Sequence, residues 1–159
     1  MKSSFRIEPA PIQAKDAIFS LLQQYLTELS LFPDENIDYK DVNGVYLYPY
    51  LDNYWQEKER YPYILYSDGT PAGFALVRLD GDHWEMAEFY VKPEFRRRGL
   101  AESCVKQIFQ KHPGLWRIGF NKHNQASSNL WYKLAESLAS GNIKKGNMDN
   151  SHEYILFEV

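Results

Sequence analysis

The sequence has little of several features that mark other classes of protein. It holds one cysteine, Cys104, which excludes an internal disulfide and a multi-cysteine metal cluster. Its four histidines have no spacing typical of metal ligands, so we expect no bound metal. It contains no long apolar run, and its N-terminal residues do not resemble a secretion signal. These absences predict a cytoplasmic protein without a membrane span.

The chain also lacks a large excess of charge of either sign. Lys and Arg total 18 and Asp and Glu total 21, so the net charge is −3. This balance argues against general binding to nucleic acid or to an acidic membrane surface. The length of 159 residues is typical of one domain, which we expect to span residues 1–159.

Helical and strand patterns alternate along the chain and predict a mixed α/β fold. The expected order is β-α-α-β-β-β-α-β-α-β-β, with Asp-Gly turns joining the three central strands. The strands are expected at residues 5–10, 62–67, 72–79, 83–91, 115–120 and within 141–149 and 153–159, and the helices at 16–29, within 48–60, after Gly99 and from Gln125.

The stretch FRRRGLAES concentrates positive charge within this mildly acidic chain. It follows a predicted strand and opens a predicted helix, whose N-terminal N–H groups and dipole favour a phosphate. Gly99 and Ala101 lack bulk, so the backbone can approach an anion closely. Arg96, Arg97 and Arg98 add charged hydrogen-bond donors. The stretch predicts a pyrophosphate site, and a solvated basic loop or a basic sorting signal is the alternative.

The longer stretch VKPEFRRRGLA resembles the acyl-CoA loop of the GNAT superfamily of N-acyltransferases. In that loop a Gln or Arg precedes a Gly by three residues, and a Gly or Ala follows two residues later. Val91, Pro93, Arg96, Gly99 and Ala101 fit this pattern, whereas the Walker and GxGxxG patterns are absent. The resemblance extends over about residues 3–159 and implies a mostly antiparallel central sheet flanked by helices. Within the superfamily, AGFALVR, MAEF and NQASSNLWYK are most similar to a bacterial group of predicted acetyltransferases of undefined substrate.

The resemblance implies that acetyl-CoA is the cosubstrate and that the loop binds its pyrophosphate. Phe89 and Val91 would present strand backbone to the pantetheine arm where two strands diverge, with core packing as their other role. Asn124 would hydrogen-bond the arm, or cap the helix that follows it. The loop residues implied in binding are Arg96, Arg97, Arg98, Gly99, Leu100, Ala101 and Glu102.

Direct acyl transfer to an amine uses a general base, and a general acid can protonate the leaving thiolate. Family members often carry a tyrosine as the acid, but Trp131 stands at that position here. The adjacent Tyr132 is the candidate acid, although one helical step turns it by about 100°, and packing is its alternative role. Glu85 and Glu88 are the candidate bases. On a regular strand they would lie on opposite faces, unless a bulge intervenes, and either could simply face solvent.

Eight of the twelve tyrosines lie between Tyr39 and Tyr66, and we call residues 39–66 the tyrosine-rich segment. In the superfamily this region caps the acceptor side of the cleft. Its aromatic residues predict either a wall for an amine or an aromatic acceptor, or else packing between a helix and the sheet. The residues concerned are Tyr46, Tyr48, Tyr50, Tyr54 and Trp55, with acidic neighbours Asp34, Glu35, Asp38, Asp41 and Asp52 that would suit a cationic amine or be ordinary surface.

The resemblance therefore implies an enzyme that moves an acetyl group from acetyl-CoA to a primary amine of a small molecule or peptide. We expect a monomer or homodimer, with no nucleic-acid or membrane partner. A non-catalytic acyl-CoA-binding or sensing module is the alternative, because Trp131 replaces the usual acid. A protein that binds nucleotide phosphates through the same loop is a third interpretation.

Overall fold

The computed structural model describes residues 4–35, residue 37 and residues 43–159. Their regular elements are β1 (Phe5–Pro9), α1 (Lys15–Leu29), β2 (Arg60–Ser67), β3 (Thr70–Asp80), β4 (His83–Val91), α2 (Leu100–Lys111), β5 (Leu115–Asn121), α3 (Gln125–Leu138), β6 (Lys144–Asn147) and β7 (His152–Glu158). Short 3-10 helices lie at Ile12–Ala14, Asp52–Trp55 and Pro93–Phe95. Asp38 and Asp41, expected as acidic neighbours of the acceptor, lie outside the described residues.

The described strands form one sheet in the order β1-β2-β3-β4-β5-β7-β6. All neighbouring strands are antiparallel except β4 and β5, which are parallel. The parallel pair requires a crossover, and α2 supplies it between these two strands. The expected mixed α/β fold with a mostly antiparallel sheet is therefore confirmed.

Helices cover both faces of the sheet, because strand side chains alternate between two buried layers. On β2, Tyr63 and Leu65 join the layer under α2 and α3, whereas Ile64 joins the layer under α1. On β3, Val77 and Leu76 divide in the same way. The single cysteine lies in the first layer and is fully buried, as its place in an apolar helical stripe predicted.

The second helix expected within residues 48–60 exists only as the 3-10 helix Asp52–Trp55. The segment holds three tyrosines, one tryptophan and one asparagine, which are weaker helix formers, and β2 begins at its last residue, Arg60. Leu51 and Tyr54 are buried beneath it in the layer under α1. Packing of these side chains therefore determines its shape, and the helical prediction for this segment was wrong in extent.

Two irregularities of β4 shape the middle of the sheet. Leu76 of β3 pairs with Glu88, whereas the next residue, Val77, pairs with Met86, so Ala87 is the extra residue of a β-bulge. The bulge turns both glutamates of β4 toward α1. In addition, β4 and β5 pair only at Trp84–Trp116 and its neighbour, so the two strands diverge along the rest of their length.

Close approach of β3 to the end of β4 requires a glycine at position 73. A Cβ placed there would lie 2.1 Å from the carbonyl oxygen of Tyr90, which is far inside van der Waals contact. Gly73 pairs with Val91, so the close approach of the two backbones keeps β3 and β4 in register beside the point where β4 and β5 diverge.

Gly73→Ala is expected to lower the free energy of unfolding by about 3 kcal/mol, since backbone atoms must move to admit the methyl group. Gly141→Ala is the matched control, because a Cβ at Gly141 has no neighbour within 4 Å. Urea denaturation of both variants provides the measurement. Equal stabilities would show that the strands accommodate the methyl group.

Candidate active site

A cleft of about 800 Å³ lies where β4 and β5 diverge. It is lined by the end of α1, the loop after α1, β4, β5 and the first turns of α2 and α3. Leu100 lines it from one face of the sheet and Tyr25 from the other, so the cleft passes through the sheet. We call the end beside α2 the phosphate end and the end beside α1 the acceptor end.

The phosphate end is built by the start of α2. Gly99 occupies the N-cap position with φ 81°, in the left-handed region that favours glycine. It has no side chain to cap the helix, whereas the Asn124 side chain caps α3 by accepting from the Ser127 N–H at 3.1 Å. The first N–H groups of α2 therefore face the cleft without a side-chain acceptor at the cap, and Gly99, Leu100, Ala101 and Glu102 all line it.

The three arginines before Gly99 are placed differently. Arg96 lines the cleft, yet its side chain donates to the Val91 carbonyl oxygen at 2.8 Å and to both Glu28 oxygens at 2.8 and 3.1 Å. Arg97 also lines the cleft and has φ 61°, in the left-handed region. Arg98 is exposed and does not line the cleft. Arg96 therefore links this loop to β4 and α1, and Arg97 is the arginine presented to the phosphate end.

The middle of the cleft is apolar. Phe89 and Val91 line it, and the Phe89 ring contacts Trp131 edge-to-face with centroids 5.4 Å apart. Trp131 is buried and also lines the cleft. The sequence prediction placed a general acid at Tyr132, but Tyr132 does not line the cleft. Its ring packs against Phe120 and Lys145 instead, because one helical step turns it away.

Glu85 is held by two arginines and a histidine on the α1 face of the sheet. Arg78 donates to it at 2.8 Å, His83 lies at 3.2 Å and Arg117 at 3.4 Å. Partial burial would raise the pKa of Glu85, but hydrogen bonds from Arg78 and His83 outweigh that cost and lower the pKa below its ordinary value. Glu85 is thus a stably ionised carboxylate, poorly suited to carry a proton.

Glu88 has the opposite environment. It lines the acceptor end, and its carboxylate accepts hydrogen bonds from the hydroxyls of Tyr25 and Tyr48. Burial, with a smaller contribution from the nearby Glu35, raises its pKa to about 7, although these two hydrogen bonds act in the other direction. No cationic side chain of the described residues forms an ion pair with it. A carboxyl group with such a pKa can exchange a proton near neutral pH.

The loop after α1 is fastened across the acceptor end. Asn121 at the end of β5 donates to the Pro33 carbonyl oxygen at 2.7 Å and to Glu35 at 3.2 Å. His152 of β7 places Nε2 2.9 Å from Glu35 and Nδ1 3.0 Å from Asp149. Because both ring nitrogens face carboxylates, these contacts favour the imidazolium form of His152, which can donate at both positions.

Sequence reasoning did not single out Tyr25, Asn121 or His152 for this site. Tyr25 belongs to the apolar stripe of α1 at helical spacing, so its spacing indicated packing alone. Asn121 and His152 are register partners at the ends of β5 and β7, and only strand pairing shows that they are neighbours.

The aromatic wall expected from the tyrosine-rich segment is mostly core packing. Tyr46 and Tyr54 are buried in the layer under α1, and the Trp55 indole donates to the Ala10 carbonyl oxygen at 2.9 Å. None of these three lines the cleft, and Tyr50 is exposed outside it. Tyr48 is the member that contacts a cleft residue, through Glu88.

Three possible metal-ligating groups lie together beside the cleft, and one of them, Glu85, lines it. Histidine spacing did not indicate this group. Ligand atoms of Asp80, His83 and Glu85 lie within 4.8 Å of one another. The Arg78 guanidinium donates to both Asp80 and Glu85, so a fixed positive charge already neutralises these carboxylates. This arrangement does not favour a metal ion.

Comparison with known families agrees with this geometry. A sequence model described as the acetyltransferase (GNAT) family matches residues 22–135, well over half of the chain, from α1 through most of α3. The chain belongs to the GNAT family. It is therefore an acyltransferase by family, and the matched residues include β4, the loop before α2 and Glu88.

Solved GNAT structures share the fold along almost the whole chain. The PaiA N-acetyltransferase of Thermoplasma acidophilum, in complex with coenzyme A, is 14% identical with a TM-score of 0.66, covering 98% of this chain and 99% of its own. An acetyltransferase of Thermus thermophilus is 11% identical with a TM-score of 0.71, covering 98% and 97%. The Campylobacter jejuni N-acetyltransferase PseH is 15% identical with a TM-score of 0.59, covering 97% of both chains. These identities show a common fold alone.

No curated protein sequence gives a significant match to the chain. In the part of the chain that the structure describes, no helix combines the length and the apolar character needed to cross a bilayer.

The His152–Glu35 contact predicts a pH-dependent stabilisation. Burial would lower the pKa of His152, but the hydrogen bonds to Asp149 and Glu35 raise it above its ordinary value. The resulting stabilisation is present below the unfolded pKa and is lost as pH rises through the folded pKa. His152→Gln is therefore expected to lower the free energy of unfolding by about 0.5–1 kcal/mol at pH 5.5 and by less at pH 9.

Urea denaturation at the two pH values measures this difference. His123→Gln is the control, since His123 is exposed on the loop before α3. A His152→Gln effect that is the same at both pH values would contradict the imidazolium assignment.

Proposed function

We propose that the protein is an N-acetyltransferase that moves an acetyl group directly from acetyl-CoA to a primary amine of a small molecule or peptide. One observation carries this proposal: a carboxyl group with a pKa of about 7, Glu88, lines the acceptor end of a cleft whose other end is the open N-terminus of a helix. The family match supports acyl transfer, and a similar structure is a complex with coenzyme A.

The start of α2 would bind the pyrophosphate of CoA. Backbone N–H groups of Gly99 to Glu102 and the helix dipole supply donors and partial positive charge. Arg97 adds a positive charge at the same end, whereas Arg96 is already engaged by Glu28. The arginines thus divide between ligand binding and holding the loop.

The pantetheine arm would lie along β4 between the diverging strands. Past Glu85, β4 has no pairing with β5, so its backbone groups on that side are available to the amides of the arm. Phe89 and Trp131 provide an apolar surface beside it. Asn124 lines this part of the cleft while its Oδ1 caps α3, which leaves the amide nitrogen as the group that would donate to the arm.

Glu88 would be the general base. A primary amine with a pKa of about 10.4 is protonated at neutral pH and cannot attack a thioester until a proton is removed. The freed amine attacks the carbonyl carbon and the C–N bond forms. As the C–S bond breaks and CoA leaves as the thiolate, the nitrogen releases its second proton to solvent, which leaves a neutral amide. Glu85 is less suited to this role because its ion pairs keep it deprotonated and occupied.

The thiolate would leave without a tyrosine from α3. Tyr132 packs against Phe120, and the cleft position holds Trp131, which cannot donate a proton in this role. A proton from water then neutralises the product thiolate. The tryptophan at this position also favours a second candidate function, a non-catalytic acyl-CoA-binding module. Turnover of acetyl-CoA with an amine distinguishes the two.

The acceptor end suits a positively charged amine. Glu35 and Glu88 both line it, and the rings of Tyr25 and Tyr90 lie beside them. Carboxylates and aromatic faces together attract ammonium groups.

Replacing the base tests the proposal. Glu88→Gln is expected to reduce kcat/KM by roughly 10²–10⁴-fold, the usual contribution of a general base. In the wild type, kcat/KM is expected to rise with pH through about 7, because only the ionised carboxylate accepts a proton. The measurement is thiol release from acetyl-CoA against a panel of primary amines.

Glu94→Gln serves as the control, because Glu94 is exposed and lies outside the cleft. Full activity of Glu88→Gln would exclude the base assignment. Acetyl-CoA binding with no turnover of any amine would favour the non-catalytic module.

A second variant tests the phosphate end. Gly99→Glu is expected to weaken CoA binding at least about 100-fold in calorimetric titration, because it places a negative charge beside the phosphates. The positive φ of Gly99 adds a strain of about 1–2 kcal/mol, so folding is checked by thermal denaturation.

Gly141→Glu adds the same charge at an exposed position with no neighbour within 4 Å of its Cβ, and should bind CoA as the wild type does. Equal CoA affinities for a folded Gly99→Glu protein and for this control would overturn the phosphate assignment.

A further inference from the structure

The carboxylate of Glu88 is held by two phenol groups, one on each oxygen. The Tyr25 hydroxyl donates to Oε2, and the Tyr48 hydroxyl donates to Oε1 at 3.3 Å. Tyr25 lies on α1, and Tyr48 belongs to the tyrosine-rich segment, so the two donors come from different elements. Two donors on separate oxygens prevent free rotation of a carboxylate about its terminal bond.

Each tyrosine is itself fixed by its surroundings. The ring of Tyr25 lies 5.7 Å from both Phe74 and Tyr90, with interplanar angles of 89° and 58°. These two contacts set the plane of the ring and therefore the direction of its hydroxyl.

Tyr48 is positioned through the backbone next to it. The Gln23 side chain of α1 donates to the Tyr46 carbonyl oxygen at 2.9 Å and accepts from the Tyr46 N–H at 2.8 Å. This double hydrogen bond ties the tyrosine-rich segment to α1 two residues before Tyr48. Both phenols therefore depend on the same helix.

We propose that Tyr25 and Tyr48 are positioning residues for acyl transfer: their hydroxyls, converging from α1 and from the tyrosine-rich segment, orient the Glu88 carboxylate that receives the acceptor's proton. This inference rests on the proposed function. It gives the tyrosine-rich segment a role that differs from an aromatic wall around the acceptor.

The phenols act as donors and do not replace Glu88 as the base. Burial and the nearby Glu88 raise the pKa of both tyrosines, so they remain protonated at neutral pH. When Glu88 takes a proton, one phenol oxygen can accept the hydrogen bond from the new carboxylic acid, since a hydroxyl both donates and accepts. The proton therefore has a defined partner in each state.

Burial and one further carboxylate oppose ionisation of Glu88: Glu35, on the loop after α1, raises its pKa. Tyr54 on the 3-10 helix also interacts with Glu88, but burial raises the pKa of Tyr54 to about 12, so its phenol is neutral where Glu88 titrates. The hydrogen bonds from Tyr25 and Tyr48 lower the pKa of Glu88 and offset part of this effect. Removing either donor should therefore shift the rise of kcat/KM toward higher pH.

The kinetic experiment compares Tyr25→Phe, Tyr48→Phe and Tyr50→Phe over pH 6–9. Tyr50 is the matched control, because its ring contacts Tyr48 at 6.2 Å while it is exposed and outside the cleft. Tyr25→Phe is expected to move the rise of kcat/KM up by about one pH unit, which lowers kcat/KM about tenfold at pH 6 and about twofold or less at pH 9. Tyr48→Phe should move it less, since its hydrogen bond is longer, and Tyr50→Phe should not move it.

A second readout needs no substrate. Carboxyl carbon NMR of protein labelled in its glutamates follows ionisation of Glu88 directly, and the resonance missing from Glu88→Gln identifies it. We expect the ionisation of Glu88 to shift to higher pH most in Tyr25→Phe, less in Tyr48→Phe and not at all in Tyr50→Phe. CoA affinity and thermal stability should stay close to wild type in Tyr48→Phe.

The two readouts distinguish the possible failures. If the NMR titration of Glu88 is unchanged in both phenylalanine variants, the positioning role is overturned whatever the activity. If the titration moves as expected but Glu88→Gln keeps full activity, the proposed base fails and the positioning role for acyl transfer fails with it. If only Tyr25→Phe is destabilised, the folded Tyr48→Phe protein still decides the result.

Discussion

The short pairing between β4 and β5 is the constraint on which the site depends. The strands are hydrogen-bonded at two residue pairs, Trp84–Trp116 and Glu85–Arg117, and then separate. The separation opens a cleft through the sheet and leaves one edge of β4 without a strand partner. Because α2 connects these two strands, its N-terminus begins at the same opening. The N-terminus of α2 and the carboxylates consequently meet in one cleft, although the chain supplies them from separate elements.

The bulge in β4 then determines how the two glutamates differ. With Ala87 as the extra residue, Glu85 and Glu88 both face α1. Glu85 lies among Arg78, His83 and Arg117, and its pKa is lowered, whereas Glu88 lies among phenols and a carboxylate, and burial raises its pKa to about 7. The same residue type on one strand therefore has two electrostatic roles, set by neighbours from β3, β5, α1 and the tyrosine-rich segment.

Part of this site was readable from local pattern. A helix that begins at Gly99, with the small residue Ala101 in its first turn, follows from the stretch FRRRGLAES because helix termini have local requirements, and the structure adds that Gly99 is left-handed. The same stretch did not reveal that Arg96 would bind Glu28, since that carboxylate is 68 residues away in sequence. Likewise, strand alternation placed Glu85 and Glu88 on opposite faces, and the bulge that reverses this has no signal in residue spacing.

The sequence by itself determined the mixed α/β order, the bounds of most helices and strands, and the start of α2 at Gly99, because periodicity and capping act over a few residues. Tertiary structure decided which glutamate accepts hydrogen bonds from Tyr25 and Tyr48, that Trp131 and not Tyr132 lines the cleft, and that Asn121 and His152 fasten the loop after α1. Those outcomes depend on strand register, helix rotation and desolvation, which arise only when distant segments pack together.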